Sequence, residues 1–419
     1  MPSNRKDLDR VGPILVYTLP LILYALLAIP LGIRHREMMN ADAMCYIRRA
    51  GYLLHGDFYY FLSEHWSLMI SWLMAPLQAI GMDGLYAARI VTVFIGALYM
   101  LCFTALARRL LAVHWIWHLL AGMVIAPFIA SVAIRVITPD LLLGAWLVLY
   151  MLVVLDPRLP DTRGRQFLAG VVGGVAYLAK AFAFPFVIVS LPMTLLIHAV
   201  RKRSESNPEK KKILGSVALA YARGLLGFFL IAGPWIGALS WKYGHLTFGS
   251  SGAAAHGVTG SKELPGFKFP TEMSFALPPG PYIAPMETAE KAFPRWSPFA
   301  SRQHFTFQLH VIKNHALMLR RYLSESAPPY TLLIVMPLAV SLLLIRSPQR
   351  WKLAWMLLTL ALFLGPFLLV VVQYRYLNPH VVPLALLLCM MLALEWRPGA
   401  SDATAGGTPQ RVPIWRAGL

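Results

Sequence analysis

Apolar stretches about as long as a membrane-spanning helix recur along the whole chain, and short polar segments separate them. About 20 apolar residues cross the hydrocarbon core of a bilayer as a helix, so the pattern predicts an all-α polytopic membrane protein. We predict about ten transmembrane helices, at residues 13–33, 85–107, 114–134, 140–156, 166–180, 182–200, 216–241, 328–346, 353–372 and 376–394.

A further apolar segment, 65–80, could be counted as a span, which would reverse the direction of every later helix. Lys and Arg concentrate in the cytoplasmic loops of membrane proteins. The Lys and Arg residues of this chain follow the rule only when 65–80 lies flat at the membrane–water boundary. If 65–80 crossed the membrane, the basic run 201–212 would lie on the outer side. Its tryptophans and the interrupting Pro76 also suit an interfacial helix.

This topology predicts one transmembrane domain, 1–396, with both termini in the cytoplasm and two long loops, 34–84 and 242–327, on the outer side. The tail 397–419 is polar and is expected to be a disordered cytoplasmic segment.

The first outer loop contains a second amphipathic segment, which we expect to lie on the membrane surface beside 65–80. Asn40 or Asp42 can cap a helix that runs to about Leu54, and Gly56 is a stop signal. The apolar side of this helix is expected to contain Met44, Cys45, Ile47 and Leu54. Its wet side, which faces water, is expected to contain Arg48, Arg49, Tyr52 and His55.

Composition supports the membrane class and excludes several others. Hydrophobic residues make up 58% of the chain and charged residues 14%, whereas a soluble domain is about 25% charged. The net charge of +19 is explained by the cytoplasmic loops, and no nucleic-acid-binding motif accompanies it. The three cysteines have no metal-type spacing, so we predict neither disulfides nor a zinc site.

Ionisable residues gather at the predicted outer ends of the spans. A carboxylate at such a boundary can act as a general base, and cations there can bind a lipid phosphate. Each residue also has an ordinary structural explanation: a helix cap, the helix dipole, snorkelling of a long side chain, an interfacial anchor or plain surface. The candidates are Asp42, Glu64, His65, Arg89, Asp140, Lys180 and Arg375.

The order of several short motifs adds a resemblance. They are Ala41-Asp42-Ala43-Met44-Cys45-Tyr46, Gly56-Asp57-Phe58, Trp66-Ser67-Leu68-Met69-Ile70-Ser71-Trp72-Leu73, Ala88-Arg89, Ala107-Arg108-Arg109-Leu110, Thr138-Pro139-Asp140-Leu141-Leu142, Leu178-Ala179-Lys180 and Tyr374-Arg375-Tyr376-Leu377-Asn378-Pro379. In this order the chain resembles the GT-C superfamily of membrane glycosyltransferases, in particular the protein O-mannosyltransferase and lipid A aminoarabinose transferase group.

The resemblance implies that Asp42 is the catalytic acidic residue and that Asp140 matches the second acidic residue. It implies that Lys180 and Arg375 lie near a lipid phosphate, with Arg89 as a further candidate. Glu64-His65 falls where many relatives have Glu-Lys. Ala43 replaces a glutamate common in relatives, so a divalent metal is not supported, and no cofactor is expected.

The implied reaction is transfer of a sugar from a polyprenyl-phosphate donor to a hydroxyl of a lipid, glycan or protein acceptor, with inversion at the anomeric carbon. We expect it at the outer face of a bacterial inner membrane. Two alternatives stay open: a lipid or solute transporter, and a GT-C-like oligosaccharide ligase or polymerase.

Overall fold

A computed structural model describes residues 3–205, 210–260, 295–325 and 350–395. The described part is helical and contains no strand. Its helices are α1 Ser3–Arg34, α2 Ala41–Leu54, α3 Phe58–Phe61, α4 Met69–Ala79, α5 Gly84–Leu110, α6 Trp115–Arg135, α7 Asp140–Val154, α8 Arg163–Ala179, α9 Ala183–Glu205, α10 Lys210–Tyr243, α11 Ser251–Val258, α12 Arg302–Glu325, α13 Arg350–Val370 and α14 Tyr374–Glu395.

Seven of the described helices contain a segment long and apolar enough to cross a membrane. These segments are Val11–Arg34, Gly84–Leu110, Trp115–Arg135, Ala183–Lys202, Leu214–Tyr243, Trp351–Val370 and Tyr374–Leu392, and α7 is a shorter apolar helix. The prediction of an α-helical polytopic membrane protein is therefore confirmed. The predicted span 328–346 and the tail 397–419 lie outside the described residues.

The break predicted between the fifth and sixth spans is present. Helix α8 ends at Ala179 and α9 begins at Ala183, and Lys180 lies in the turn with an extended backbone. The turn is closed by hydrogen bonds from Ala183 N to Lys180 O and from Phe184 N to Ala181 O, both 3.0 Å. The turn therefore holds Lys180 at one end of the bundle.

The helices place two different sets of connections at the two ends of the bundle. One end, which we call the Asp42 end, carries α2–α4 and the turns before α7, α9 and α14. The opposite end, the Asp156 end, carries a cluster of basic side chains. There the carboxylate of Asp156 pairs with Arg109, Arg158 and Arg165.

The helices approach closely where glycines face one another. A Cβ atom at Gly170 of α8 would lie 1.7 Å from the carbonyl oxygen of Gly224 in α10. No side chain fits in that space, so the sequence of α8 allows its backbone to contact α10 directly. This contact fixes the position of α8 and of the turn that follows it.

The two segments predicted to lie at the membrane boundary pack together. Helix α4, with 11 residues, is about 16 Å long, roughly half the hydrocarbon thickness of a bilayer. Its Ser71 hydroxyl donates a 2.9 Å hydrogen bond to the Tyr46 carbonyl of α2. Helix α2 ends at Leu54, and Gly56 follows with a φ of 76°, as the stop signal predicted.

The predicted orientation of α2 is only partly right: Arg48 and His55 of the wet side are exposed and Cys45 of the apolar side is buried, but four other residues differ. Arg49 and Tyr52, expected on the wet side, are buried, whereas Met44 and Leu54 of the apolar side are 48% and 41% exposed. The reason is that α2 has protein on its inner side, where the Arg49 guanidinium lies over the Phe61 ring. The exposed side of α2 is therefore mixed, with Met44 and Leu54 alongside Arg48 and His55.

Candidate functional site

The site is built by four charged residues from four separate elements at the Asp42 end. Asp42 is the second residue of α2, and Asp140 is the first residue of α7. Lys180 follows α8 directly, and Arg375 is the second residue of α14. Each of these residues therefore lies where a helix begins or ends. At such a position a charged side chain can extend out of the apolar core of the bundle.

The first ion pair joins Asp42 and Arg375. An Nη of Arg375 donates to Oδ2 of Asp42. The same guanidinium donates from Nε to Gln373 Oε1 at 2.7 Å and from its other Nη to the Tyr376 hydroxyl at 3.1 Å. Asp42 therefore does not cap α2, and Asn40 does not either, because its Oδ1 accepts a hydrogen bond from Ile137 N at 2.9 Å.

The second ion pair joins Asp140 and Lys180. The ammonium of Lys180 donates to Oδ1 of Asp140, and the Thr138 hydroxyl donates to Oδ2 at 2.7 Å. The Asp140 side chain is only 4% exposed. Both carboxylate oxygens are thus occupied, and the pair is largely removed from water.

One aromatic ring connects the two ion pairs. The Nζ of Lys180 lies 4.0 Å from the centre of the Tyr376 ring, and the guanidinium carbon of Arg375 lies 5.0 Å from it. Both are cation–π distances. Tyr376 also stacks on Phe367, so the ring that holds the two cations is itself fixed by packing.

Tyr46 of α2 lies close to both acids. Burial raises the pKa of its hydroxyl well above the usual range, and the charges of Asp42 and Asp140 raise it further. Its ring also packs edge-on against Trp66, with centres 5.3 Å apart. The two carboxylates therefore belong to one electrostatic cluster, and Tyr46 remains a neutral side chain within it.

A cavity of about 460 Å³ opens beside Arg375, between α6 and α14. Its polar lining includes Arg135, which is exposed and makes no hydrogen bond or ion pair within the described parts of the chain. Apolar side chains of both helices line the rest of the cavity. The full lining is Pro127, Phe128, Ser131, Val132, Arg135, Val136, Tyr322, Tyr374, Arg375, Leu377, Asn378, Val381 and Val382.

Arg135 and Tyr376 were missed by the sequence analysis as site residues. Arg135 is the last residue of α6 and precedes the Thr138-Pro139-Asp140 motif, and Tyr376 follows Arg375 directly. Arg135 lies beside one candidate motif and Tyr376 within another, and these positions were a usable signal. Without the fold, however, nothing distinguished them from interfacial anchors.

Arg89 lies apart from the two ion pairs. Its two terminal guanidinium nitrogens donate to the main-chain carbonyls of Ile134 and Met38. These bonds join the end of α6 to the segment that leads into α2. Arg89 is therefore a positioning residue in this arrangement, and we do not assign it to the donor phosphate.

Glu64 and His65 lie near the cluster but contact a different part of the chain. The Glu64 carbonyl accepts a 2.7 Å hydrogen bond from Ser250 N, and its carboxylate lies 3.6 Å from His245. His65 packs edge-on against Trp66, with ring centres 4.7 Å apart. These residues connect the segment 34–84 to the segment after α10.

No family model matches the chain, and no curated protein or solved structure matches it either. The established class is therefore the one defined by the helices, a polytopic α-helical membrane protein. Among the described residues, no three His, Cys, Asp or Glu side chains are grouped as metal ligands. What the chain does is inferred from the charged cluster and its cavity.

Proposed function

We propose that this protein is an inverting glycosyltransferase that uses a polyprenyl-phosphate sugar donor. The observation that carries the proposal is the meeting of Asp42, Asp140, Lys180 and Arg375 around Tyr376, beside a cavity bounded by membrane-spanning helices. A carboxylate, several cations and a lipid-accessible cavity are the components needed to act on a sugar attached to a lipid phosphate.

The cavity between α6 and α14 suits the donor lipid. Its lining residues run from Pro127 to Val136 on one side and from Tyr374 to Val382 on the other, which is about 12 Å of each helix. The apolar part can receive isoprenoid carbons, and Arg135 and Arg375 stand where a phosphate would lie. An arginine can bind a phosphate with two parallel hydrogen bonds.

In the proposed reaction, Asp42 takes the proton from an acceptor hydroxyl, and that oxygen attacks the anomeric carbon of the donor sugar. The bond between this carbon and the phosphate oxygen breaks, and the polyprenyl phosphate leaves with the electron pair. One displacement inverts the anomeric configuration. Cations already in place stabilise the negative charge that grows on the phosphate.

The remaining residues of the cluster organise the site. The three hydrogen bonds of Arg375 leave further N–H donors on its guanidinium, so it can hold Asp42 and a phosphate together. Asp140 and Thr138 fix the position of Lys180. We assign Lys180 to the leaving phosphate and Asp140 to orienting Lys180.

We place the reaction at the outer face of a bacterial inner membrane, with both termini in the cytoplasm. The support is the distribution of charge. Arg109, Arg158 and Arg165 gather at the Asp156 end, and cytoplasmic loops are rich in Lys and Arg.

The test is a reconstitution of the purified protein with radiolabelled polyprenyl-phosphate sugars and a panel of lipid, glycan and peptide acceptors. The proposal expects one donor to lose its label to an acceptor, with release of polyprenyl phosphate and inverted configuration by NMR. Movement of an intact donor across the membrane would instead support a transporter. Transfer of many sugars together, seen by mass spectrometry, would support a ligase or polymerase.

A further inference from the structure

A second groove lies on the membrane-facing side of the bundle, between α1 and α5, with a volume of about 670 Å³. Its walls are apolar and partly exposed, as Ile29 and Ile33 of α1 and Ile90 and Phe94 of α5 illustrate. Water is not available at this depth in a bilayer. A groove of this kind is filled by hydrocarbon chains.

One end of this groove is cationic. Arg36 and Arg89 are the charged residues that line it. The side chain of Arg36 is 59% exposed, and that of its ion-pair partner Glu37, at 3.5 Å, is 78% exposed, so their attraction is weak. Arg89 is 5% exposed, and its Nε has no hydrogen-bond partner in the described residues. This charge selects an anionic headgroup.

The cationic end adjoins the charged cluster. Arg89 bonds the carbonyl of Met38, four residues before Asp42. Its other terminal nitrogen bonds the carbonyl of Ile134, whose neighbour Arg135 lines the first cavity. The end of the groove that Arg89 lines therefore adjoins both the segment that leads into α2 and the end of α6.

We propose that the groove between α1 and α5 binds a phosphate-bearing lipid and that this lipid is the acceptor of the transfer. The second part rests on the proposed function. The donor phosphate has its cations at Lys180, Arg135 and Arg375, so a second cationic groove serves a second lipid. A lipid held there can present a headgroup hydroxyl to Asp42.

The first experiment measures binding and needs no activity. Purified protein is titrated with dioleoyl phosphatidic acid in detergent, and bound lipid is counted by native mass spectrometry. Ala25→Trp fills the groove, whereas Leu26→Trp adds the same ring to a residue that is 67% exposed and does not line it. Arg36→Gln removes the exposed positive charge at the cationic end of the groove without adding volume.

We expect Ala25→Trp to lose this binding, Arg36→Gln to weaken it by about tenfold, and Leu26→Trp to bind as the wild type does. Dioleoylglycerol, which lacks the phosphate, should bind the wild type weakly. Equal phosphatidic acid binding by Ala25→Trp and the wild type would overturn the site, because the groove would then not hold the lipid.

The second experiment measures transfer to dioleoyl phosphatidylglycerol, a phosphate-bearing lipid with headgroup hydroxyls, and, separately, release of the donor sugar to water. We expect Ala25→Trp to lose transfer but to keep sugar release, since the donor cavity is untouched. Equal losses of both would contradict the acceptor role. If the wild type binds phosphatidic acid but never cleaves a donor, the proposed function fails while the lipid site stands.

Discussion

Arg375 donates a hydrogen bond to Asp42 although the two residues are 333 positions apart in the chain. The pair joins the first residues of α2 to the first residues of α14, and it forms only when the intervening helices have packed. Tyr376 links it to the Asp140–Lys180 pair. The fold thus assembles the charged cluster from segments distributed along most of the chain.

Arg135 should act on the donor phosphate, because it faces the cavity and makes no bond within the described residues. Arg135→Ala should raise the KM for the donor by about tenfold or more, the value of a charge-assisted hydrogen bond, and Arg135→Lys should restore part of it. Arg163→Ala removes the same charge at the opposite end and should change nothing. An unchanged KM in Arg135→Ala would remove Arg135 from the donor site.

The Asp140–Lys180 pair should show strong coupling in stability. Lys180→Met leaves a buried carboxylate without its cation, and breaking a buried pair in this way costs about 3–5 kcal/mol. Adding Asp140→Asn to Lys180→Met should recover most of the thermal stability but none of the transfer activity. Thermal unfolding in detergent measures the first effect. Additive losses of stability would show that the two side chains do not interact.

Asp156 should make stability depend on pH at the opposite end. Burial alone would raise the pKa of Asp156, but hydrogen bonds from Arg158 and the charges of Arg109 and Arg165 outweigh burial and lower it. A lowered folded-state pKa stabilises the fold above the unfolded value, about 3.9, and this contribution is lost as the pH falls through the folded pKa.

Asp156→Asn should therefore lower the Tm at pH 7, and its difference from the wild type should shrink progressively below about pH 4. The measurement is Tm against pH for both proteins. A difference that stays constant down to pH 3 would mean that the carboxylate charge is not the stabilising group.

Gly170 should not tolerate a side chain. Gly170→Ala places a methyl group against the Gly224 carbonyl, and overpacking of this kind costs about 1–3 kcal/mol. Gly237→Ala, in the same pair of helices, meets nothing within 4 Å and should be neutral or slightly stabilising. Thermal unfolding compares the two, and equal stability would contradict the close contact of α8 and α10.

The membrane class and the positions of the long helices could be predicted from the sequence because a bilayer imposes a length and an apolar composition on each span. The turn at Lys180 was also predictable, since a charged residue divides two apolar stretches. The orientation of α2 was predictable only in part. Periodicity shows which residues share a helix face, but it does not show that Arg49 faces protein while Met44 faces outward.

The candidate site was predictable in part. Motif order selected Asp42, Asp140, Lys180 and Arg375, which the structure brings together, and also Arg89, Glu64 and His65, which contact other groups. Which arginine pairs with a carboxylate and which bonds carbonyls depends on helix packing. A single sequence does not contain that information in readable form, and Arg135 was not selected as a site residue for the same reason.

The central claim is that the Asp42 carboxylate accepts the proton of the acceptor during sugar transfer from a polyprenyl-phosphate donor. Its most direct test is the single-turnover transfer rate of Asp42→Asn with the donor identified by reconstitution. The matched control is Asp57→Asn, in the same loop, where the side chain makes no capping hydrogen bond. Circular dichroism and thermal unfolding, both measured in detergent, show whether each variant is folded.

The account predicts that folded Asp42→Asn transfers sugar at least about 100-fold more slowly than the wild type, as expected for loss of a general base, while Asp57→Asn transfers normally. Transfer by Asp42→Asn at the wild-type rate would contradict the account.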